Sequence, residues 1–407
     1  MIGADTSWIL TSTALVLIMT LPGLALFYGG LVRSSNILSV LIQCFAIACL
    51  ASILWLVAGY SIAFSGEGAN IGDLKKVFLR GVGTETTLGN LPENVFFMFQ
   101  MTFAVITPAL IVGAYVERIK FSAVLWISGL WLLLVYAPVT HWIWGGGWLA
   151  KIGVQDFAGG LVVHLNCGMA ALVIAKMLGS RKGFPNDVKP PHSPVLVFVG
   201  AAMLWVGWFG FNGGSALSAG GDAAMAILVT HISAAAGAMT WMFYEWVKFG
   251  KPTALGSVTG MVAGLGTITP ASGFVGPAGA LVIGIIAGVV CFNAVIIIKQ
   301  KFKIDDSLDV FPVHGVGGIC GTMLVGFFAS KELGIFSGQG GWSHEAIVIS
   351  DQLQIQFTAV IATVAYTALA TFIILKLVDL VTGLRVDSQT EIQGLDLDSH
   401  GEKGYDL

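Results

Sequence analysis

Charged side chains are scarce in this sequence. Asp, Glu, Lys and Arg make up only 11% of its 407 residues, whereas a soluble domain carries about 25%. Hydrophobic residues reach 56%, and the mean hydropathy is +0.85. The polar side chains are too few to cover a water-soluble globule of this size. We therefore expect a polytopic membrane protein with lipid as its surroundings, and the net charge of -3 gives no basis for binding nucleic acid.

Metal-binding and disulfide patterns are also missing. The five cysteines, at 44, 49, 167, 291 and 320, all lie inside apolar runs. Their spacing fits neither a set of metal ligands nor a disulfide framework, so we expect small apolar filler and no metal or cofactor. The N-terminus, MIGADTSWIL, has no basic segment and contains Asp5, which does not fit a signal peptide.

Long apolar runs, in contrast, fill most of the chain. A helix needs about 20 apolar residues to cross a bilayer. The run 252–298 is too long for one helix, and TPASGFVGPAG at 269–279 divides it in two. We predict an all-α polytopic membrane protein with eleven transmembrane helices, from runs without Asp, Glu, Lys or Arg at 8–32, 37–65, 94–116, 121–150, 157–175, 193–221, 223–244, 252–298, 310–330 and 352–375.

Basic residues are distributed unevenly between the predicted loops. With eleven spans the termini lie on opposite sides, and the C-terminal side holds fifteen Lys and Arg against five on the other. Because cytoplasmic loops carry the excess of basic residues, we predict an external N-terminus and a cytoplasmic C-terminus. The acid-rich segment after Leu384 is then a cytoplasmic tail, too short for a core of its own.

Two predicted spans each contain a histidine. DFAGGLVVHLNCGMAALVIAK begins at Asp156 and carries His164, and DVFPVHGVGGICGTMLVGFF begins at Asp309 and carries His314. Ionisable residues inside a membrane are costly and mark pathways or sites. The alternative is a histidine bonded to a neighbouring helix for packing alone, but two histidines at related positions favour a pathway.

The two histidines lie in the fifth and tenth spans. If spans 1–5 and 6–10 form halves of opposite orientation, they occupy equivalent positions near the midplane, a plan used by transporters. A multi-haem protein or a metal site would need more ligands. Neutral imidazoles can both donate and accept hydrogen bonds along a narrow pore. We predict that His164 and His314 share a hydrogen bond and are neutral, because burial disfavours the charged form.

Aromatic segments lie at the predicted external ends of three spans. FQMTFAV at 99–105, HWIWGGGW at 141–148 and WVGWFGFNGGS at 205–215 would bring Phe103, Trp144, Phe211 and Ser215 to one external vestibule. A Trp face attracts a small cation, and the phenylalanines below it would exclude hydrated ions. Trp is enriched at membrane interfaces in any case, which accounts for most of the other Trp residues.

Seven segments, in order along essentially the whole chain, resemble the ammonium transporter (Amt/Mep/Rh) family, and most closely its bacterial Amt branch. They are PGLALFYGGLVRSSN, GAYVERIKF, WGGGWLA, DFAGGLVVH, GWFGFNGGS, DVFPVHGVGG and GLDLDSHGEKGY. The matched positions imply an ammonium recruitment site of Trp144, Ser215 and Phe103, a gate of Phe103 and Phe211, a pore pair of His164 and His314, a pore-lining Trp208, and a structural and electrostatic carboxylate at Asp156. We expect His141 at the rim of the vestibule and a structural or interface role for His231.

The resemblance also implies an assembly and a location. It implies a homotrimer with one pore per subunit in the plasma membrane, the inner membrane of a bacterium, and a tail that binds a PII-type regulatory protein. We divide the chain into a transmembrane domain over 1–384 and a regulatory tail over 385–407. Within the first, inverted halves lie at about 8–180 and 193–330 and a final helix at 352–384.

The expected function is transport of ammonium, with methylammonium as an analogue, and not catalysis. NH4+ would be recruited outside and lose a proton at or below the gate, and NH3 would pass the histidines, with or without a separately moving proton. An ion in an apolar medium costs tens of kcal/mol by Born estimates, and K+ cannot shed its charge. Two alternatives remain, a membrane ammonium sensor with little flux and a channel for neutral NH3 or CO2.

Overall fold

Apolar helices long enough to cross a bilayer make up most of the structure. The computed structural model describes residues 2–336, 340 and 347–406. Within these residues ten helices have the length and composition of membrane spans, and an eleventh apolar helix is shorter. The prediction of an all-helical membrane protein with about eleven spans is confirmed. The helices are α1 (Gly3–Leu31), α2 (Ser34–Phe64), α3 (Glu93–Tyr115), α4 (Phe121–Lys151), α5 (Gly160–Leu178), α6 (Pro194–Gly214), α7 (Gly221–Phe249), α8 (Ala254–Ile268), α9 (Pro277–Lys301), α10 (Phe311–Phe328) and α11 (Ile349–Thr382).

Smaller elements lie between and after these helices. Strands β1 (Thr87–Leu88) and β2 (Leu91–Pro92) pair antiparallel, with Leu88 opposite Leu91. Short 3-10 segments cover Val77–Leu79 and Lys331–Phe336. Helices α12 (Ser388–Gln393) and α13 (Leu395–His400) form the tail, and α12 begins where the Asp387 carboxylate accepts hydrogen bonds from two backbone N–H groups of the first turn.

Opposite ends of the bundle gather different loops. At one end, which we call the aromatic end, the Trp148 N–H donates to Ala69 O (2.9 Å) and joins the turn 144–147 to segment 65–92. At the other, which we call the tail end, the Lys120 N–H donates to Leu384 O (2.9 Å) and joins loop 116–120 to the tail. The pore residues predicted from the sequence lie between these two ends.

Helix α3 runs through the centre of the bundle. Almost every residue from Glu93 to Tyr115 is buried, whereas most other spans have an exposed apolar face. Tyr28 donates from its hydroxyl to Leu110 O (2.9 Å), and the Trp55 indole N–H donates to Phe97 O (3.3 Å). Neighbouring helices therefore fix the rotation of α3.

Helices α5 and α10 cross at glycines and begin in the same unusual way. His164 and His314 lie in π-helical turns at Gly160–Leu165 and Phe311–Gly315. Such turns are rare and occur frequently at functional sites. A Cβ atom on Gly168 would lie 2.3 Å from the Cα of Gly315, so only glycine allows this approach. The crossing brings the two histidine-bearing turns together.

Candidate functional site

A column of aromatic and imidazole rings leads from the aromatic end to the middle of the bundle. Ring centroids are 5.7 Å apart for Trp144 and Phe103 and 4.4 Å apart for Phe103 and Phe211. Phe211 lies 6.0 Å from His164, which lies 5.2 Å from His314. The structure therefore brings together five of the predicted site residues.

These five rings come from five different helices. Phe103 is on the buried helix α3, Phe211 on α6, and the histidines on the crossing helices α5 and α10. Trp144 follows Ile143 in α4, at the start of the turn 144–147 that separates the main part of α4 from its last turn, Trp148–Lys151. Each ring is thus held by a separate rigid element, which is how a precise site is built from distant parts of a sequence.

Hydrogen bonds orient the polar groups at the top of the column. The Trp144 indole N–H donates to Asp156 O (2.8 Å), which leaves the faces of the ring for other contacts. The Ser215 hydroxyl donates to Phe211 O (2.8 Å), so its oxygen keeps lone pairs for accepting a donor. Ser215 is only 8% exposed and immediately follows α6.

The Asp156 carboxylate caps the helix that carries His164. It accepts four backbone N–H groups, from Gly159 (2.9 Å), Gly160 (2.6 Å), Leu161 (2.8 Å) and Val162 (3.1 Å). These are orphan donors of the first turn of α5, and a negative charge is favourable at a helix N-terminus. With both oxygens used in this way, the Asp156 carboxylate orients the first turn of α5.

The equivalent capping carboxylate at α10 is Asp306, which sequence reasoning missed. Its Oδ2 accepts the Phe311 N–H (2.6 Å), and it precedes His314 by eight residues, as Asp156 precedes His164. Asp309, which the sequence placed in this position, instead pairs with Lys299 (2.8 Å). The equal eight-residue spacing was a signal in the sequence that could have identified Asp306.

The two histidines face each other through their Nδ1 atoms. These atoms are 3.2 Å apart, and the rings are buried and nearly parallel, with an interplanar angle of 17°. One Nδ1 must donate and the other accept, since a hydrogen bond between them needs one proton. Within the described part of the chain, His164 Nε2 has no partner.

Trp208 packs on the same pair. Its indole N–H donates to the Thr269 hydroxyl (2.9 Å), and its ring stacks on His164 at 5.3 Å with an interplanar angle of 19°. It also contacts Phe211 at 5.5 Å. Trp208 therefore walls the space between the phenylalanines and the histidines.

Two cavities continue the column towards the tail end. A cavity of about 10 Å³ lies among His164, His314, Trp208 and Phe211, which is about the space that one water molecule needs. A wider cavity of about 490 Å³ then opens below His314 at the tail end and is lined in part by Lys299 and charged loop residues. The passage is thus narrow and apolar at the histidines and wide and polar at the tail end.

The other two histidines considered from the sequence lie elsewhere. We expected His141 at the rim of the external vestibule, and this position is wrong. His141 is fully buried, and its ring contacts two carbonyl oxygens. His231 is exposed on α7 and packs against Trp205 and Phe209. The described residues contain no cluster of three or more His, Cys, Asp or Glu that could hold a metal ion.

A helical bundle that surrounds a narrow column of rings is the architecture of a membrane channel or transporter for a small solute. The Ammonium Transporter Family matches residues 7–405, and the chain belongs to this family. It is therefore an ammonium transporter and not an enzyme, and a multi-pass protein of the plasma membrane. The predicted resemblance is confirmed.

Relatives and solved structures agree over nearly the full length. The ammonium transporter of Bacillus subtilis (strain 168) is 45% identical over 403 residues, which cover 98% of each chain. The crystal structure of Candida albicans Mep2 is 35% identical, with a TM-score of 0.86 over 95% of this chain and 87% of that one. A structure described as a sensor Amt protein is 29% identical, with a TM-score of 0.90 over 98% of both chains.

The Asp306 carboxyl predicts a pH-dependent component of stability. Burial, with Asp309 nearby, raises its pKa to about 6 from an ordinary value of 3.8. The folded protein then holds this proton more tightly than the unfolded chain, so stability decreases as pH rises through this range. We expect a loss of about 3 kcal/mol between pH 4 and pH 6, which Asp306→Asn removes.

Thermal unfolding of the purified protein at several pH values measures this component. The matched control is Asp187→Asn, which changes a carboxylate whose side chain is 79% exposed. It should retain the wild-type dependence on pH. An Asp306→Asn profile parallel to that of the wild type would contradict the expected titration.

Proposed function

We propose that the column is the ammonium pathway and that it selects by removing a proton. NH4+ is recruited by Trp144, Phe103 and Ser215 and gives up its proton at or below the gate of Phe103 and Phe211, to water on the recruitment side or to the imidazole pair. It continues as NH3 past His164 and His314. The observation that carries this proposal is the continuous contact of these rings from Trp144 to His314.

Recruitment uses groups that suit a small cation with N–H donors. The face of an indole ring attracts a cation within about 6 Å of its centroid, and the Trp144 N–H is already bonded to Asp156 O, which fixes the ring. The Ser215 oxygen can accept an N–H from the ion because its own proton is donated to Phe211 O.

The gate and the pore favour a neutral solute. Phe103 and Phe211 are buried and 4.4 Å apart, so a hydrated ion does not fit between them. The cavity below holds about one small molecule and offers two imidazoles, far fewer ligands than a hydration shell. A charge there costs tens of kcal/mol by Born estimates. NH4+ escapes this cost by deprotonation, which K+ cannot do.

The imidazole pair then supplies hydrogen bonds without a fixed charge. NH3 can donate to or accept from His164 Nε2, depending on the tautomer, while the Nδ1 contact to His314 is kept. A proton could follow along the same pair, which would make transport electrogenic. Net NH4+ movement and net NH3 movement are both compatible with this arrangement.

Orientation and internal symmetry support the same pathway. We propose that the aromatic end is external, the tail end is cytoplasmic and residues 8–180 and 193–330 form inverted halves. Two features support this repeat. Asp156 precedes His164, and Asp306 precedes His314, by the same number of residues in the sequence. Both histidines also lie in π-helical turns. Residues 1–384 then form the transport domain, and 385–407 form a regulatory tail.

A sensor with little net flux is the second candidate. The sensor Amt protein has the same fold over 98% of both chains, so the fold alone does not separate sensing from transport. A channel for a neutral gas is less favoured, because it has no use for the cation-binding face of Trp144. Measured flux of methylammonium decides between transport and sensing.

Substitution of either histidine tests the pathway directly. We expect His164→Ala or His314→Ala to leave a folded protein. Either the ammonium-evoked current falls about tenfold or more, because the path loses a hydrogen-bonding partner worth about 1–3 kcal/mol, or the variant admits K+. Currents evoked by ammonium and by K+ are measured in reconstituted membranes, together with thermal stability.

His231→Ala is the matched control, because His231 lies outside the column of rings. It should keep the wild-type current and selectivity. A merely structural pair would lower stability without changing selectivity per folded pore. Wild-type rate and selectivity in both pore variants would rule out the pathway.

Two substitutions of Trp144 separate its ring from its N–H. Trp144→Leu should weaken the apparent affinity for methylammonium about 2- to 30-fold, through loss of a cation–π contact of about 0.5–2 kcal/mol. Trp144→Phe keeps an aromatic face and should retain more affinity than the Leu variant. Trp126→Leu, at a Trp that is 53% exposed on α4, is the control in the same uptake assay. Equal affinities in all variants would remove Trp144 from the site.

The tail is held against the cytoplasmic loops by charged contacts. The Asp396 carboxylate accepts the N–H groups of Leu38 (3.1 Å) and Ser39 (2.8 Å), just after the 3-10 turn Ser34–Asn36 that begins α2. Arg385 pairs with Glu391 (2.8 Å) within the tail and also donates from its guanidinium to Leu178 O (2.8 Å). We propose that this ordered tail takes part in binding a PII-type regulatory protein.

We also propose that the transporter itself is a homotrimer. Light scattering of the purified transporter tests this assembly.

A pair of glycine substitutions tests the role of the tail. Gly394 has φ +103°, and a Cβ there would lie 2.6 Å from Ser35 O, whereas one on Gly401 would meet nothing within 4 Å. Gly394→Ala should therefore displace the tail and reduce capture of a PII-type protein from membranes. Gly401→Ala should not, although both glycines have positive φ. Full capture by a protein truncated after Arg385 would place the contact on the basic loops instead.

A further inference from the structure

Helix α11 places a buried glutamine against the segment that joins α4 to α5. Gln356 lies near the start of α11 and is fully buried. Burying a polar amide costs free energy unless the amide is hydrogen-bonded. Helix α11 contributes no ring to the column between Trp144 and His314, so the proposed pathway leaves this amide without a role.

The Gln356 amide uses every hydrogen-bonding site that it has. Its Oε1 accepts the Gln155 backbone N–H (2.9 Å) and the Gln352 side-chain amide (3.1 Å). Its Nε2 donates to Gln155 O (2.7 Å) and to Thr322 O (3.0 Å) on α10. Because a backbone N–H only donates and a carbonyl only accepts, the two bonds to Gln155 also fix which way the amide points.

The two bonds to Gln155 supply the partners that regular secondary structure would otherwise provide. Residues 154–156 lie between α4 and α5 and belong to no helix or strand. Gln155 is buried, and buried backbone N–H and C=O groups need hydrogen-bond partners. The Gln356 amide bonds both groups of this one residue, as a neighbouring strand does in an antiparallel pair. It therefore fixes the backbone at Gln155 to α11.

The residue after Gln155 contacts the recruitment site. Asp156 O accepts the Trp144 indole N–H (2.8 Å). The connection from α11 to the ring thus runs from the Gln356 amide to Gln155, along one peptide bond to Asp156, and across a hydrogen bond to Trp144. A shift of the backbone at Gln155 moves the acceptor that orients the indole.

We propose that Gln356 is a positioning residue for ammonium recruitment, which holds the backbone at Gln155 and thereby sets the orientation of the Trp144 ring. This inference rests on the proposed recruitment role of Trp144. A cation must lie over the face of an indole, within about 6 Å of its centroid, to be attracted. Rotation of the ring therefore weakens recruitment while the gate and the histidines stay in place.

Uptake of methylammonium by the full-length transporter measures the effect on recruitment. Gln356→Met keeps an unbranched side chain without the amide and should raise KM about two- to tenfold, the range that one net hydrogen bond covers. The maximal rate per folded transporter should stay near the wild-type value. Gln354→Met is the matched control, because Gln354 is exposed on the same helix, and it should match the wild type.

The two kinetic constants separate positioning from a merely structural role. A structural role predicts less folded transporter with an unchanged KM. An unchanged KM in Gln356→Met, when Trp144→Leu raises it, overturns the positioning role. An unchanged KM in both variants overturns the recruitment site itself.

A double variant shows whether the effect passes through Trp144. Residues that act through one another have non-additive effects. In the Trp144→Leu background, Gln356→Met should raise KM no further, because the ring that Gln356 positions is already absent. If the two substitutions instead raise KM independently, the positioning role is overturned.

Nitrogen NMR of the tryptophan side chains measures the connection without reference to transport. The Trp144 indole signal is assigned by its loss in Trp144→Leu. Its N–H should exchange with solvent about two- to tenfold faster in Gln356→Met than in the wild type.

A milder variant keeps this test decisive if Gln356→Met does not fold. Gln352→Met removes one bond to Gln356 Oε1 and one to Gly153 O (3.0 Å), and it leaves both bonds between Gln356 and Gln155. It should fold and change the exchange of the Trp144 N–H in the same direction by a smaller factor. Wild-type exchange in every folded variant of Gln352 and Gln356 overturns the proposal.

Discussion

The close crossing of α5 and α10 is the constraint on which the pathway depends. Two backbones can approach as closely as Gly168 and Gly315 do only without side chains, because a single Cβ would already lie 2.3 Å from the opposite Cα. This approach brings the Nδ1 atoms of His164 and His314 to 3.2 Å. In lipid, where no hydrophobic effect drives helices together, such small-residue contacts are a main source of association. Packing and chemistry therefore have the same origin here.

Charge is placed where it can be neutralised outside the apolar column. At the tail end the Glu117 carboxylate forms ion pairs with the guanidinium groups of Arg33 (3.3 Å) and Arg181 (3.0 Å). Arg181 also pairs with Asp305 (3.0 Å). Burial alone would raise the pKa of the Glu117 carboxyl, but the two guanidiniums hold it below its ordinary value. The same network supports the tail, because Arg33 also donates to the Glu391 carbonyl. These ion pairs thus lie at the tail end, outside the column of rings.

Much of the fold and the column of rings could be predicted from the sequence. Apolar runs mark membrane spans because a bilayer core of about 30 Å sets their length. Two histidines in such runs stand out because buried ionisable groups are costly. The short helix Ala254–Ile268 shows the limit of this reasoning, since it has only 15 residues although its run was counted as a full span.

What the sequence could not give is the partner of each polar group. Asp309 lies nearer to His314 in the sequence, yet its carboxylate bonds Lys299, and Asp306 caps the helix instead. Asp309 also has a left-handed backbone conformation, with φ 62°. His141 likewise looked like a rim residue, because nothing in its neighbours showed that Ala63 O would reach its ring. Such partners depend on how distant segments pack.

The two capping carboxylates show that matching positions do not have matching electrostatics. Both oxygens of Asp156 accept hydrogen bonds from four backbone donors of the helix that it caps. Within the described residues Asp306 Oδ1 has no partner, and burial with Asp309 nearby raises the pKa of Asp306 to about 6. Burial raises the pKa of the Asp156 carboxyl as well, but its four backbone N–H donors oppose that shift. At Asp306 the charge of Asp309 adds to the effect of burial, and the Phe311 N–H opposes it. The two capping carboxylates therefore share the cost of burial and differ in the neighbours that offset it.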